Sequence, residues 1–126
     1  MGQGYLIDTN VVIEALYNAL PQKAITFIAA LPPVISDVTR MELLGWPNAT
    51  ALQLAPVTAF VNSATLLPIN EAVVLKVIDI RQAKNVKLGD AMIAATALVN
   101  NLSVLTRNTS DFKNISGLTV IDPYNL

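Results

Sequence analysis

Short apolar segments alternate with longer segments of helical periodicity, and this alternation constrains the fold more than any other feature of the chain. Five mainly apolar segments have the length and composition of buried strands, at residues 5–7, 34–35, 66–69, 103–105 and 118–121. Helical patterns lie between them at residues 11–20, 22–31, 37–44, 48 or 50 to 63, 71–84 and 90–99. Strands that are buried on both faces and separated by helices pair in parallel. The 126 residues therefore predict one α/β domain over residues 1–126, a three-layer α/β/α sandwich with a central parallel sheet of about five strands.

Residues with strong local preferences set the predicted boundaries. Pro21 ends the first helix, because a helix does not continue through the residue before a proline. Residues 87–89, Lys-Leu-Gly, read as a turn from which Asp90 opens the last helix. Pro68 places the third strand at a sheet edge. Residues 106–114 are polar and predict a loop or a single helical turn.

The chain has neither cysteine nor histidine, and this narrows the chemistry that it can perform. Without cysteine there are no disulfides, zinc–thiolate sites or thiol nucleophiles. Without histidine there is no Ser-His-Asp triad, no imidazole ligand and no imidazole general base. Any catalysis must use carboxylates, hydroxyls, amides, lysine or arginine. Carboxylates are also the natural ligands of Mg²⁺ and Mn²⁺.

Apolar residues make up 53% of the chain and charged residues only 13%. This excess predicts a surface that is covered by a second copy or by another protein. The alternative is a compact core rich in alanine, leucine and valine. The net charge of -1 gives no global field for nucleic acid, so RNA binding would depend on a local patch. No apolar run reaches the roughly 18 residues of a membrane span, and no secretion signal opens the chain, so we expect a cytoplasmic location.

Four of the nine acidic residues are predicted to lie at one end of the sheet. Ligands of open parallel sheets bind at the carboxyl ends of the strands. Asp8 follows the first strand and Asp111 lies in the loop after the fourth. Glu42 lies in the helix after the second strand, and Asp90 lies in the first turn of the helix that precedes the fourth. Clustered carboxylates repel one another unless a cation neutralises them, so this placement predicts a divalent metal site.

Each acid also has a structural explanation when it is taken alone. Asp8 can cap a helix, and Asp90 can stabilise a helix N-terminus through its charge. Glu42 can be an ordinary surface group, and Asp111 can be a loop or capping residue. The functional interpretation depends on the joint placement of the four residues.

Four motifs carry a resemblance to a known family. In chain order they are YLIDTNVVIEAL with Asp8, SDVTRMELLG with Glu42, KLGDAMIAATAL with Asp90, and VLTRNTSDF. Their sequence, order and spacing resemble the four motifs of PIN domains, especially those of VapC-type toxins. The resemblance spans nearly the whole chain. It implies an α/β/α fold and an Mg²⁺- or Mn²⁺-dependent endoribonuclease, often a homodimer, that a cognate antitoxin protein holds inactive.

The resemblance also assigns roles to individual residues. Asp8, Glu42 and Asp90 match the first three acids of the family and are expected to be catalytic and to bind the metal. The fourth motif departs from the commonest pattern, because Asn108 stands where many members have an acid. Asp111 is expected to supply the missing charge as a fourth catalytic and metal-binding residue, or only to cap a turn. Asn108 would then hold a water or a phosphate through its amide.

The hydroxyl groups of Thr9 and Thr106 are expected to hydrogen-bond to the metal-binding carboxylates. On this hypothesis water attacks the phosphorus of an RNA phosphodiester in line, with Glu42 as a further ligand or as the general base. The sequence does not match rival families that accept a phosphoryl group on an aspartate of their own. Haloacid-dehalogenase-like phosphatases need an acid where Asn10 stands, and receivers need an aspartate where the third strand ends at Asn70. The remaining alternative is a catalytically degenerate PIN module that only binds RNA or protein.

Overall fold

The structure is a computed structural model, and it describes residues 4–17 and 20–126. The described part contains five strands: β1 (Tyr5–Ile7), β2 (Val34–Ser36), β3 (Thr65–Leu67), β4 (Ser103–Leu105) and β5 (Val120–Ile121). Its α-helices are α1 (Thr9–Leu16), α2 (Gln22–Ala29), α3 (Asp37–Leu44), α4 (Ala51–Ser63), α5 (Glu71–Ala83) and α6 (Leu88–Val99). The predicted alternation of strands and helices is confirmed.

All the recorded strand pairs are parallel, as predicted, but they form two ladders. One has the order β1-β4-β5 and the other pairs β2 with β3. The strands β1 and β2 lie side by side and join the two ladders into one layer with the order β3-β2-β1-β4-β5. The hydrogen-bonded sheets are therefore smaller than the expected five strands. Because each strand has only two or three residues, a modest twist between neighbours suffices to interrupt a ladder.

Successive strand residues point to opposite sides of this layer, and each side carries its own apolar cluster. One cluster, with α5 and α6, receives Leu6, Val34, Leu67, Val104 and Val120. The other, with α1, α2 and α4, receives Ile7, Ile35, Leu66, Leu105 and Ile121. Helix α3 contributes to both clusters through Val38 and Leu43. The alternation across all five strands confirms the three-layer α/β/α arrangement.

Side-chain caps explain where several helices begin. The Asp8 carboxylate accepts from the Thr9 N–H at the start of α1, two residues before the predicted start. Thr50 and Gln53 form a reciprocal capping box on α4. The Asn70 side chain accepts from the Val73 N–H and opens α5. Helix α1 ends at Leu16, before the predicted end at residue 20, so that boundary is wrong. Residues 18 and 19 of the predicted helix lie outside the described residues.

Other predicted boundaries are also wrong. Leu88 and Gly89 belong to α6, which begins after Lys87, so the predicted turn at residues 87–89 is the first turn of that helix. Strand β3 ends at Leu67, because Pro68 has no N–H to offer a ladder. The polar segment after β4 contains a single 3-10 turn at Thr109–Phe112, as expected. Across the described ranges, none of the helices combines the length and apolar character needed to span a bilayer.

Candidate active site

The predicted acids gather around the carboxyl ends of β1 and β4. Asp8 follows β1 directly and is only 6% exposed. Glu42 and Asp111 are exposed, and Asp90 is half-buried. They are carried by α3, by the 3-10 turn and by the first turn of α6. The fold thus brings together side chains that are up to 103 positions apart in the chain (111 - 8 = 103).

Three donors hold the Asp8 carboxylate in place. Its Oδ1 accepts from the Thr9 backbone N–H at 2.8 Å. Its Oδ2 accepts from the Thr106 hydroxyl at 2.8 Å and from the Asn10 side-chain amide at 3.0 Å. Hydrogen bonds to an ionised acceptor are stronger than neutral ones. The cap at the start of α1 and the end of β4 therefore set the direction of this carboxylate together.

Glu42 is linked to the first motif through Thr9. The Thr9 hydroxyl donates to Glu42 Oε1 at 2.5 Å, and the Thr39 hydroxyl lies 3.1 Å from the same Thr9 oxygen. Thr39 is buried and is itself positioned by a bond from its N–H to the Ser36 hydroxyl. Thr9 consequently touches two carboxylates, Asp8 through its backbone and Glu42 through its side chain. The contacts that were expected of Thr9 and Thr106 are present.

Burial and mutual repulsion oppose the ionisation of Asp8 and Asp90, the two less exposed of the four site acids. Burial raises the pKa of Asp8, and the nearby negative charge of Glu42 raises it further, while the Thr106 hydroxyl lowers it. Burial also raises the pKa of Asp90, and the charges of Asp111, Asp8 and Glu42 add to this effect. Lys87 partly opposes them. The other three acids of the group are thus close enough to Asp90 to raise its pKa.

The donor set suits a hard divalent cation, although the carboxylates do not form a closed cage. Over residues 4–17 and 20–126, no three acidic side chains converge tightly enough to coordinate one ion without other ligands. Mg²⁺ normally keeps several waters and takes only one or two protein carboxylates, so an open arrangement fits it. Burial, and after it the charges of neighbouring acids, raises the pKa values of Asp8 and Asp90. A bound cation would favour the ionised form of both carboxylates, so these shifts fit the same interpretation.

The fourth motif places its two candidate residues differently. Asn108 directly precedes the 3-10 turn, and its backbone N–H donates to the Thr106 hydroxyl at 3.0 Å. Asp111 lies inside that turn, and its N–H donates to the Asn108 carbonyl at 3.1 Å. Asp111 therefore does not cap the turn with its side chain, and its charge acts on Asp90 instead. The capping alternative for Asp111 is wrong.

Asn10 is a site residue that the sequence interpretation missed. Its amide NH₂ donates to Asp8 Oδ2 and lies 3.3 Å from the Thr106 hydroxyl. Its side-chain carbonyl accepts from the Arg107 backbone N–H at 3.1 Å. In the sequence analysis this residue was considered only as a mismatch to a phosphatase pattern. Its place two positions after Asp8 at a strand end was the available signal.

The Arg107 side chain contacts residues near the C-terminus of the chain. Its guanidinium is 3.1 Å from Asp122 Oδ2 and lies over the Tyr124 ring, with Cζ 3.3 Å from the ring centroid. Tyr124 in turn donates to Glu14 on α1 at 3.0 Å. This network fastens the unpredicted C-terminal 3-10 turn, Pro123–Asn125, against α1 and the end of β4. The Arg107 guanidinium is therefore engaged by residues of the protein itself.

An apolar cavity of about 370 Å³ adjoins the acidic edge. Glu42 lines one side of it, and the aromatic rings of Tyr17 and Trp46 line another. The two rings meet edge to face with centroids 6.4 Å apart, and both remain partly exposed. The acidic edge is therefore continuous with an exposed apolar surface.

Comparison with protein families gives a match over most of the chain. The family model described as PIN domain matches residues 5–118. A curated protein named Ribonuclease VapC, from Rickettsia bellii, is 47% identical over 62 residues. That stretch is 45% of this chain and 46% of the relative, so the alignment spans less than half of either protein.

Comparison with solved structures covers nearly the whole chain. A toxin-antitoxin complex from Klebsiella pneumoniae contains a chain with 31% identity and a TM-score of 0.76, covering 96% of this chain and 98% of that one. DNA-bound VapBC from Salmonella typhimurium contains a chain with 26% identity and a TM-score of 0.84, covering 97% and 99% respectively. The similarity therefore extends over nearly the whole chain.

Proposed function

Because this chain belongs to the PIN domain family, we propose that it is a metal-dependent endoribonuclease and the toxin of a toxin–antitoxin pair that acts in the cytoplasm. The substrate is RNA, and the scissile group is a phosphodiester. The observation that carries the proposal is the grouping of four acids around one edge of the sheet, namely Asp8, Glu42, Asp90 and Asp111. Burial raises the pKa of Asp90, and the charges of the other three acids raise it further. Such a concentration of negative charge is destabilising by itself, so it calls for a functional explanation.

Asp8, Asp90 and Glu42 are the residues that would hold Mg²⁺ or Mn²⁺, with Asp111 as the fourth acid. When bound, such an ion supplies positive charge that stabilises the charge developing on the phosphate and lowers the pKa of a water. Thr106 and Asn10 keep the Asp8 carboxylate pointing towards the edge. The exposed Asn108 amide offers a donor for a phosphate oxygen.

Glu42 is the residue proposed to orient the attacking water and to accept its proton. It is exposed, so substrate water can reach it, and the Thr9 hydroxyl bond holds its carboxylate. The Thr9 bond also keeps Glu42 on the same side of the sheet as Asp8. The distance between the Glu42 and Asp8 carboxylates therefore stays constant while RNA binds and leaves.

Two protein partners belong to the proposal. The first is an antitoxin, which the 31% identical chain of a toxin-antitoxin complex supports. The apolar cavity beside Glu42 offers surface that a second protein can cover. The second partner is another copy of this chain, in a homodimer, since apolar residues make up 53% of the sequence.

The test is cleavage of a mixed RNA pool by the purified chain in Mg²⁺, in Mn²⁺ and in EDTA. The variant Asp90→Asn removes one proposed ligand, and Asp79→Asn removes the same charge from an exposed position on α5 as a matched control. We expect metal-dependent cleavage in the wild type and in Asp79→Asn, and at least about 100-fold less in Asp90→Asn. Calorimetric titration with Mn²⁺ gives a second readout, in which only Asp90→Asn binds more weakly.

The outcomes separate the two candidate functions. A folded wild-type chain that binds Mn²⁺ and RNA but cuts no RNA would favour the catalytically degenerate binding module. Full activity in Asp90→Asn would contradict the assignment of that residue. Equal activity in EDTA and in Mg²⁺ would contradict metal dependence.

A further inference from the structure

We propose that the apolar cavity beside Glu42 is a nucleobase-binding subsite, in which Tyr17 and Trp46 hold one unpaired base of the RNA next to the scissile phosphate. The inference rests on the proposed nuclease function and deepens it, because it names the part of the substrate that the chain recognises. It also gives a role to two aromatic residues that the proposed chemistry does not use.

The cavity has the size and lining of a small-ligand site. Its volume is about 370 Å³, and sites for small ligands measure about 300–1,000 Å³ and are mainly apolar. Tyr17 and Trp46 contribute two aromatic rings, and these residues are 44% and 39% exposed. A ligand that enters the cavity can therefore contact both rings. The rest of the apolar lining comes from Ile13, Leu43, Pro47 and Val57.

The two rings are held in place before any ligand binds. The Tyr17 hydroxyl donates to the Gln53 carbonyl at 2.9 Å and so ties the end of α1 to α4. The Trp46 ring meets the Tyr17 ring edge to face, with 83° between the ring planes. Aromatic side chains have few rotatable bonds, and fixing them in advance lowers the entropic cost of binding. The pair is therefore a preformed surface on which a flat ring can stack.

The charge of the lining limits which part of an RNA chain can enter. Among the described residues that line the cavity, Glu42 is the one with a charged side chain, and its charge is negative. A phosphate group would be repelled by this charge and would lose its hydration against the apolar walls. A base is neutral and flat, and unpaired bases of RNA stack on aromatic side chains. The base is consequently the part of the substrate that fits the cavity.

Glu42 connects the cavity to the proposed site of cleavage. Its carboxylate lines the cavity and also accepts from the Thr9 hydroxyl beside Asp8. Each phosphate of RNA joins two nucleosides directly, so a phosphate held at the acids leaves an adjacent base within reach of the cavity. A base that is stacked there fixes the position of the scissile phosphate relative to Asp8 and Glu42. The subsite thus contributes to the choice of the bond that is cut.

The test uses the fluorescence of Trp46, which is the only tryptophan in the chain. Adenosine, guanosine, cytidine and uridine are titrated into the full chain in EDTA, with ribose as the control that lacks a base. We expect at least one nucleoside to quench the emission saturably and ribose to leave it unchanged, because only a base can stack on the indole ring. Nucleosides carry no phosphate, so the acids do not repel them.

Tyr17→Leu removes one ring of the cavity and keeps Trp46 as the reporter. Loss of a stack between a base and an aromatic ring weakens binding by about 5–150-fold, so we expect the nucleoside dissociation constant to rise at least about fivefold. Tyr5→Leu is the matched control, because Tyr5 forms a similar edge-to-face pair with Phe27 and does not line the cavity. It should leave the dissociation constant unchanged. Circular dichroism checks that both variants are folded.

Cleavage kinetics give a second readout that a purely structural role of Trp46 would not change. Once the cut bond has been mapped in an RNA oligonucleotide, the nucleotides on either side of the bond are made abasic one at a time. One of these changes should raise the KM of the wild type by about tenfold. Trp46→Leu should no longer distinguish the intact oligonucleotide from the abasic one, whereas Trp46→Phe should restore most of the discrimination.

The possible results separate the subsite from the nuclease. Emission that no nucleoside quenches saturably, or affinities that Tyr17→Leu and Tyr5→Leu lower equally, would overturn the subsite. So would an active wild-type chain that cuts the intact and abasic oligonucleotides equally well; the cavity would then serve only a protein partner, and the proposed nuclease would stand. A chain that binds nucleosides as expected but cuts no RNA would contradict the nuclease and leave the base-binding cavity in place.

Discussion

The hydroxyl of Thr106 offers the sharpest test of how the site is held together. Thr106 is fully buried, and it donates to the Asp8 carboxylate at 2.8 Å. The substitution Thr106→Val keeps the shape of the side chain and removes only the donor. We expect it to destabilise the metal-free protein at neutral pH, because the largely buried Asp8 carboxylate loses one of its donors.

The magnitude follows from the charge of the acceptor. A hydrogen bond to a charged group contributes about 1.5–3 kcal/mol, against about 1 kcal/mol for a neutral pair. Thr106 also accepts from the Asn108 N–H, but Asn108 is exposed and water can take over that bond. The expected loss in the free energy of unfolding is therefore about 2 kcal/mol.

The effect should also depend on pH, with a sign that the pKa of Asp8 determines. Burial raises that pKa, and the Thr106 hydroxyl lowers it, so Thr106→Val raises it further. A raised pKa in the folded state means that stability increases as pH falls through it, because the folded state takes up the proton first. The variant gains more from this protonation than the wild type does. The difference between them should be largest at neutral pH and shrink once Asp8 is protonated.

Urea unfolding in EDTA, followed by circular dichroism from pH 7 down to pH 4, measures both effects. The matched control is Thr96→Val in α6, where an equally buried hydroxyl donates to the Met92 carbonyl at 2.7 Å. That carbonyl is neutral and lies one helical turn earlier, so the control should lose about 1 kcal/mol or less. Equal losses in the two variants, or a loss in Thr106→Val that is constant with pH, would refute the reasoning.

Three further outcomes are expected. Asp90→Asn should stabilise the EDTA-treated protein at neutral pH in urea titrations, since it removes a charge that burial and the neighbouring acids both disfavour; a less stable variant would contradict this. Arg107→Lys should lower the free energy of unfolding by about 1–2 kcal/mol, because lysine cannot reproduce the planar contact with Tyr124, and an unchanged urea midpoint would count against the network. Leu105→Ala should destabilise by about 2–5 kcal/mol through the cavity left under β4. Leu52→Ala, at an exposed position, serves as its control and should change the midpoint little.

The alternation of strands and helices was readable from the sequence because it depends on local periodicity and on nearby caps. The run Tyr5–Ile7 followed by a capping aspartate predicts a strand and a helix without reference to the rest of the chain. Leu88 and Gly89 were misassigned for the same reason. Their local signals resemble a turn, but the adjoining helix extends through them.

The candidate site also has features that the sequence predicted and features that it did not. The identities of the acids, and their places in the segments that flank the strands, followed from the sequence and its motifs. The sequence did not reveal Asn10 as the bridge between Asp8 and the end of β4, since its three contacts include residues about 96 positions away. The contacts of Arg107 could likewise not be predicted from the sequence, because Asp122 and Tyr124 approach it only through the return of the C-terminus.

Local order, residue chemistry and the placement of acids at strand ends are thus properties of the sequence by itself. The tertiary structure alone decided that Thr9 joins Asp8 to Glu42, that Asp111 acts on Asp90 and that an apolar cavity adjoins Glu42. The physical reason is the range of the interactions. Caps and periodicity act within a few residues, whereas charge coupling and burial depend on distances that only the packed chain sets.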